Sequence, residues 1–356
     1  MSVYSVITGT GSCIPTLIKK NSDFLDSTFL NEDGTSFSND NETIVQKFKE
    51  ITGIEERRYA ESGVNASDLG AAAAEKAIVK AGIDKNTIDQ IIVAHNFGDV
   101  AEGSIQGDTL PSVASKIKNK LGIQNTSCIA YDLLFGCPGW VQGVIQAEAF
   151  IKSGMAKRVL VIGTETLSRV VDDYDRDSMI YADGAGAVII EAVESDEPIG
   201  VLSHGAQTFT EEETNYLFFG ESYKDDVKNT TRYIKMYGRK IYEFALNNVP
   251  NAMKQVLDNS GVSIDQVKKI CIHQANEKMD EAIVKRFFRL YKAKVPKGVM
   301  PMSIHKLGNS SVATVPTLLD LILEGEMEGQ EINKGDVIIL ASVGAGMNIN
   351  AVVHKF

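Results

Sequence analysis

AAAAEKAIVKAGIDKNTIDQIIVA, residues 71–94, decides the fold. Residues 71–81 are rich in Ala, Glu and Lys, which favour helix. Gly82 ends that helix, because glycine readily takes the left-handed position just past a helix C-terminus. The apolar run Ile88 to Ala94 then reads as a buried strand. The same order returns in VPNAMKQVLDNSGVSIDQVKKICI, residues 249–272. There the reading gives a helix over 249–259, Gly261 as punctuation and a strand over 267–272. The connecting segments also agree in grammar, Gly-Ile-Asp-Lys-Asn-Thr-Ile-Asp-Gln at 82–90 against Gly-Val-Ser-Ile-Asp-Gln at 261–266. Two further strands, 159–163 (VLVIG) and 337–341 (VIILA), each follow a helix-like segment. Alternating helices and strands imply an α/β fold, and the repeated order implies two similar halves, 1–197 and 198–356, joined near Glu194–Pro198.

Composition narrows the class. At 356 residues the chain exceeds one simple core. Its 44% hydrophobic and 23% charged residues are ordinary globular material. No apolar run reaches the ~20 residues of a membrane helix, and the N-terminus lacks the basic and apolar regions of a signal peptide. Neither a membrane nor secretion is therefore expected. Four cysteines without a C-x-x-C pair imply free thiols in a reducing cytoplasm, with no disulfide, metal or cofactor. A net charge of −11 argues against nucleic acid as a partner. Lys285 to Lys297 is a local exception, with six basic residues and no acidic one. Lys19 to Glu42 reads as a polar surface excursion, and the acidic, aromatic stretch Phe209 to Lys228 as a cap over an entrance.

Three short motifs carry the chemistry: Phe135-Gly136-Cys137-Pro138-Gly139-Trp140, His273-Gln274-Ala275-Asn276 and Gly308-Asn309-Ser310-Ser311. Each sets one reactive side chain among small residues, where a backbone or substrate can approach closely. Cys137 falls between a strand-like and a helix-like stretch, so its thiolate is expected to face the positive end of a helix dipole. His273 ends an apolar strand, the place where α/β folds put ligands. Taken singly, each residue has an ordinary alternative: a buried cysteine, a core histidine, a turn asparagine. Apolar Phe135 and Trp140 are expected to keep water from the site.

These motifs, in this order, resemble the β-ketoacyl-[acyl-carrier-protein] synthase III family of the thiolase superfamily. The resemblance spans nearly the whole chain. It includes Thr52-Gly53-Ile54-Glu55-Glu56-Arg57, Leu110-Pro111-Ser112, Asp175-Arg176, Asp183-Gly184-Ala185-Gly186 and Gly344-Ala345-Gly346. It implies a five-layer αβαβα fold, a homodimer and a ping-pong decarboxylative Claisen condensation. Cys137 would accept an acyl group from acyl-CoA or acyl-carrier protein, and a malonyl-type thioester would extend it. His273 and Asn309 would steady the enolate, and the backbone amides of Cys137 and Ala345 would form an oxyanion hole. Arg176, Arg239 and Asn276 would bind the pantetheine-bearing substrate. Leu110 would reach the acyl pocket across the dimer.

The departures from the family pattern carry expectations too. Lys47 and Ile51 stand where acetyl-CoA-using members carry Trp and Arg, so Arg176 is expected to lack its stacking partner. That favours a carrier-protein donor. With Leu110 in place of a Phe, it leans toward a specialised synthase of the dialkylresorcinol or aryl-polyene pigment type. Lys278, Lys285, Arg286 and Arg289 would dock an acidic acyl carrier protein. A thiolase would need a second cysteine near Gly344, and none is there. A hydroxymethylglutaryl-CoA-type synthase would add a glutamate base, and a carrier-binding paralogue without catalysis is the third alternative.

Overall fold

The computed structural model describes residues 1–225 and 231–356. The first part of the chain runs β1 (Ser2–Cys13), β2 (Leu17–Lys20), α1 (Asn41–Thr52), β3 (Glu56–Tyr59), α2 (Ala66–Ala81), β4 (Gln90–Ala94), β5 (Asp99–Val100), β6 (Gly107–Asp108), α3 (Val113–Lys120), β7 (Ile129–Leu133), α4 (Gly139–Lys152), β8 (Arg158–Thr166) and β9 (Asp183–Ser195). Next come β10 (Gly200–Thr208), β11 (Leu217–Gly220), β12 (Tyr233–Met236) and α5 (Gly238–Ser260). The chain closes with β13 (Val267–Ile272), α6 (Glu277–Leu290), α7 (Ile304–Leu307), α8 (Thr314–Leu323), β14 (Val337–Gly344) and β15 (Asn348–Lys355).

Two sheets dominate, ordered β1-β9-β8-β4-β7 and β10-β15-β14-β13. In the first, β4 pairs parallel with β7 and β8, while β9 runs antiparallel to β8 and β1. The second repeats the scheme, with β13 parallel to β14 and β15 antiparallel to β14 and β10. Helices α4 and α8 each pack on strands of both sheets, so they form the middle layer. Helices α2 and α3 cover the far face of the first sheet, and α5 and α6 that of the second. The result is the five-layer αβαβα arrangement. Trp140, Val144, Val315, Leu318, Ile338 and Leu340 interdigitate in the middle layer. Full burial of each aliphatic side chain there contributes about 1.5–3 kcal/mol.

The alternating pattern placed the strands better than the helix starts. Helix α2 begins at Ala66, because Asn65 and Asp68 form a reciprocal capping box there. Helix α5 begins at Gly238 and carries Pro250 in its interior. Its earlier turns bury Phe244, Ala245 and Leu246, and that tertiary contact outweighs the proline's preference for a helix start. The stretch from Lys19 to Glu42 is more than a surface excursion. Phe24, Phe29 and Leu30 are buried in it, and Asn21 is held by the guanidinium of Arg57. The expected cap, Phe209 to Lys228, contains β11, which pairs with β12; residues 226–228 of it lie outside the described residues. No helix among the described residues is long and apolar enough to cross a membrane.

Candidate active site

The turn from β7 into α4 positions Cys137. Gly136 has φ +70°, and a Cβ there would lie 2.8 Å from the Ala345 carbonyl oxygen and 2.9 Å from its nitrogen. Only glycine allows that turn to press against the loop after β14. The thiol of Cys137 accordingly meets the backbone amides of both Cys137 and Ala345. Pro138 is the N-cap of α4, so the sulfur stands beside the helix start. Burial works against the thiolate form at this position. Burial pushes the Cys137 thiol up to about 11, and hydrogen bonds from Ser311 and the two amides offset only part of this. At neutral pH the group rests as a thiol.

His273 follows the last residue of β13 and is buried. Burial lowers its imidazole to about 4, while a hydrogen bond to the Ser311 backbone acts in the opposite direction. The ring is therefore neutral near pH 7, a hydrogen-bonding group and not a cation. Asn309 sits in the turn between α7 and α8, bridged to Tyr181. Its Oδ1 accepts the Ser311 amide at 2.8 Å, which leaves the Nδ2 hydrogens for the pocket.

Cys137, His273 and Asn309 line one inner pocket of about 110 Å³. Apolar side chains including Ile180, Leu217, Met236, Ile241 and Met279 complete it. Neither Phe135 nor Trp140 does. Trp140 is fully buried in the middle layer and its indole N–H points to the Val161 carbonyl, because its helix face looks between the sheets. Water is kept out by the apolar wall, to which the β11 and β12 hairpin contributes Leu217 and Met236. Among the described residues, none lining this pocket is Asp or Glu, the group that a hydroxymethylglutaryl-type condensation would require.

The inner pocket opens onto an outer cavity of about 790 Å³, and the two share Ile180, Met236, Gly238, Tyr242 and Asn276. Lys47, Arg176, Arg239 and Lys240 line this outer cavity, with Glu32 and Asp177 as its acidic members. Asn276 lines both and also caps α6, its side chain accepting the Met279 amide. The stacking partner that sequence denied to Arg176 is supplied from elsewhere. The Phe37 ring lies 5.4 Å under its guanidinium, brought there by the loop before α1. Leu110 is 90% exposed and lies outside the pocket of this chain.

Lys278, Lys285, Arg286 and Arg289 are all exposed on α6. Spacings of seven and eleven residues put Lys278, Lys285 and Arg289 within about 20° of one line along the helix. Arg286 is partly committed, donating to the Leu246 carbonyl at 2.9 Å and to Asn247 Oδ1 at 3.1 Å. Two contributors escaped the sequence reading: Phe37, which no motif marks, and Ser311, quoted only as a small neighbour of Asn309. Gln274, read only as motif, fastens the segment before α7 by accepting the Ser303 and Ile304 amides.

Comparison with known proteins agrees over the full chain. The family "3-Oxoacyl-[acyl-carrier-protein (ACP)] synthase III" matches residues 131–208, and its C-terminal counterpart matches 257–356. A Beta-ketoacyl-[acyl-carrier-protein] synthase III 1 of Vibrio vulnificus is 34% identical over 359 residues, covering 99% of this chain and 100% of that protein. A Beta-ketoacyl-[acyl-carrier-protein] synthase III of Brucella suis is 32% identical over 358 residues, with the same coverage. Among solved structures, the 3-oxoacyl-[acyl-carrier-protein] synthase III of Aquifex aeolicus superposes with a TM-score of 0.80 at 27% identity, covering 99% of this chain and 100% of that one. The Thermus thermophilus enzyme gives 0.81 at 26%, covering 99% of each chain.

Proposed function

This chain belongs to the 3-oxoacyl-[acyl-carrier-protein] synthase III family, with its thiolase fold, and from that premise we propose how its own residues divide a decarboxylative condensation. The observation that carries the proposal is the shared pocket of Cys137, His273 and Asn309. The Cys137 sulfur attacks the carbonyl of an acyl thioester, and the departing thiolate takes the cysteine's proton. Charge on the acyl oxygen during this step meets the amides of Cys137 and Ala345, which already converge on the sulfur. A malonyl thioester then enters, its C–CO₂ bond breaks, and the electron pair moves onto the thioester oxygen. The Asn309 Nδ2 donates to that enolate, and the neutral His273 ring joins it in the tautomer whose N–H faces the pocket and not the Ser311 backbone. Its carbon attacks the acyl-enzyme, the C–C bond forms, and the cysteine leaves and regains a proton.

The cavity architecture suits an acyl chain on a long, flexible thioester arm. The outer cavity takes the arm, with Arg176, Arg239 and Asn276 along it, and the narrow inner pocket takes the reacting end. Phe37 against Arg176 offers a flat cationic and aromatic surface, so coenzyme A stays a donor beside acyl carrier protein. A carrier-binding paralogue without catalysis would have no need of three aligned reactive groups. Intact-mass measurement after incubation with a panel of acyl-CoA and acyl-carrier-protein donors tests the reading. The expected result is one acyl adduct, on Cys137; no adduct with any donor would sink it. The preferred donor also tells a housekeeping enzyme from one serving a specialised pigment pathway.

The acidic helix of a carrier protein would dock on the stripe of Lys278, Lys285 and Arg289. Charge reversal at Lys285 and Arg289 is expected to raise the KM for a carrier-protein substrate about tenfold with kcat unchanged, an effect that salt erodes. An unchanged KM at low salt counts against this surface. Arg286 is left intact because it also ties α6 to α5.

A homodimer in the cytoplasm completes the reading. Strand β7 is the edge of the first sheet, bonded only to β4. Ile129 is 53% exposed on it, and Leu134 just beyond is 64% exposed. An open apolar edge of this kind is a template for strand pairing, and a partner there would also cover Leu110. Sedimentation at micromolar concentration is expected to give a dimer, and Ile129→Glu with Leu134→Glu a monomer. A monomeric parent protein would refute it.

A further inference from the structure

Ser311 adopts φ +52°, the left-handed region that a non-glycine residue occupies only when its surroundings enforce it. The surroundings are the proposed reactive groups. Its amide donates to Asn309 Oδ1, and its backbone is hydrogen-bonded to the His273 ring. Its hydroxyl lies on the Cys137 side of the loop, where a hydrogen bond to the thiol lowers the thiol's proton affinity. One further bond fixes the direction of that hydroxyl. Asn96 Nδ2 lies 3.0 Å from Ser311 Oγ, and an amide nitrogen can only donate. The serine oxygen is therefore the acceptor there, and its own hydrogen is left for the sulfur.

Asn96 is itself held. Its Nδ2 also donates to Glu165 Oε1 in a very short contact, and its backbone amide hydrogen-bonds to the same carboxyl. Glu165 is buried in β8, and burial raises its carboxyl well above the usual range. A protonated carboxyl still accepts through its carbonyl oxygen, so the lock needs no buried charge. Asn96 thus donates both to Glu165 and to Ser311 Oγ, and the serine hydrogen is the one left to reach the sulfur once Cys137 loses its proton.

We propose that Ser311, oriented by Asn96 and Glu165, is a positioning residue that donates its hydroxyl hydrogen to the Cys137 sulfur and stabilises the thiolate formed during acyl transfer. This rests on Cys137 being the nucleophile. No proton travels along the chain: the cysteine's proton leaves with the departing thiol, and the serine keeps its own. The other titratable groups facing the sulfur are His273 in the pocket, Tyr181 beside it and Glu165 behind.

The test is the rate of iodoacetamide alkylation at Cys137 as a function of pH, read on the Cys137 peptide by mass spectrometry. Ser311→Gly removes the hydroxyl but suits the left-handed backbone, so the contacts to Asn309 and His273 persist. It is expected to displace the profile upward by about one pH unit, a roughly tenfold slower reaction at neutral pH. Asn96→Asp is expected to act in the same direction, because an acceptor at that position draws the serine hydrogen away from sulfur. In steady state, Ser311→Gly is expected to lower kcat/KM for the acyl donor and leave the KM for the malonyl thioester unchanged. A parental alkylation profile in Ser311→Gly or in Asn96→Asp overturns the proposal; if the first does not fold, the second decides alone. Alkylation needs no acyl donor, so a chain that never forms an acyl-enzyme would fail the functional reading while this one is still judged.

Discussion

Cys137→Ala is expected to take up no acyl group from any thioester and to lose condensation by on the order of 10⁶-fold, the usual consequence of deleting a covalent nucleophile. The pocket itself should survive the change. Cys137 sits between the Gly136 turn and the Gly344 loop, and alanine keeps the Cβ that packs there. Asn309 and His273 take their orientation from Ser311 and not from the sulfur. Slow release of CO₂ from a malonyl thioester without condensation should therefore persist in this variant. Intact mass and CO₂ release measured on one preparation separate the two half-reactions. An acyl adduct that survives in Cys137→Ala would place the nucleophile on another residue.

Asn309→Asp is expected to do the reverse: the acyl-enzyme forms at close to the parental rate, while condensation falls by about 10²–10³-fold or more. The size of the effect follows from which atom faces the pocket. One side-chain oxygen is committed to the Ser311 amide, so the isosteric change replaces the inward Nδ2 donor with a second oxygen. That oxygen presents lone pairs and negative charge where the malonyl thioester develops its own. A missing donor becomes a repulsion, with almost no change of shape. Single-turnover measurement of acylation and CO₂ release reads this directly. Loss of acylation instead of decarboxylation would mean that Asn309 serves the other half-reaction.

Much of the architecture was legible because its causes are local. The run 267–272 coincides with β13, and Gly82 and Gly261 are the left-handed caps that end α2 and α5. Strand runs of β-branched residues and helix-ending glycines act over a few residues, so a single sequence displays them. The misreadings share a different cause. The helix read over 249–259 begins at Gly238, because apolar contacts on the preceding turns extend α5 through Pro250. Trp140 looked like a wall of the site, yet its helix face is turned between the two sheets. Phe37, in a stretch read as surface, returns to the face of Arg176. Each was decided by segments distant in sequence.

The candidate site divides along the same line. By itself the sequence determined that a thiol, an imidazole and a carboxamide stand at the ends of elements among small residues, and that two similar α/β halves carry them. Tertiary structure alone decided that they line one pocket, that the thiol rests protonated, and that Asn309 turns its nitrogen inward. The left-handed serine whose amide holds Asn309 was also a tertiary outcome. The physical reason is range. Periodicity and turn chemistry are read from neighbours, whereas burial, donor direction and proton affinity are set by groups such as Asn96 and Ser311, 215 residues apart, that meet only when the layers close.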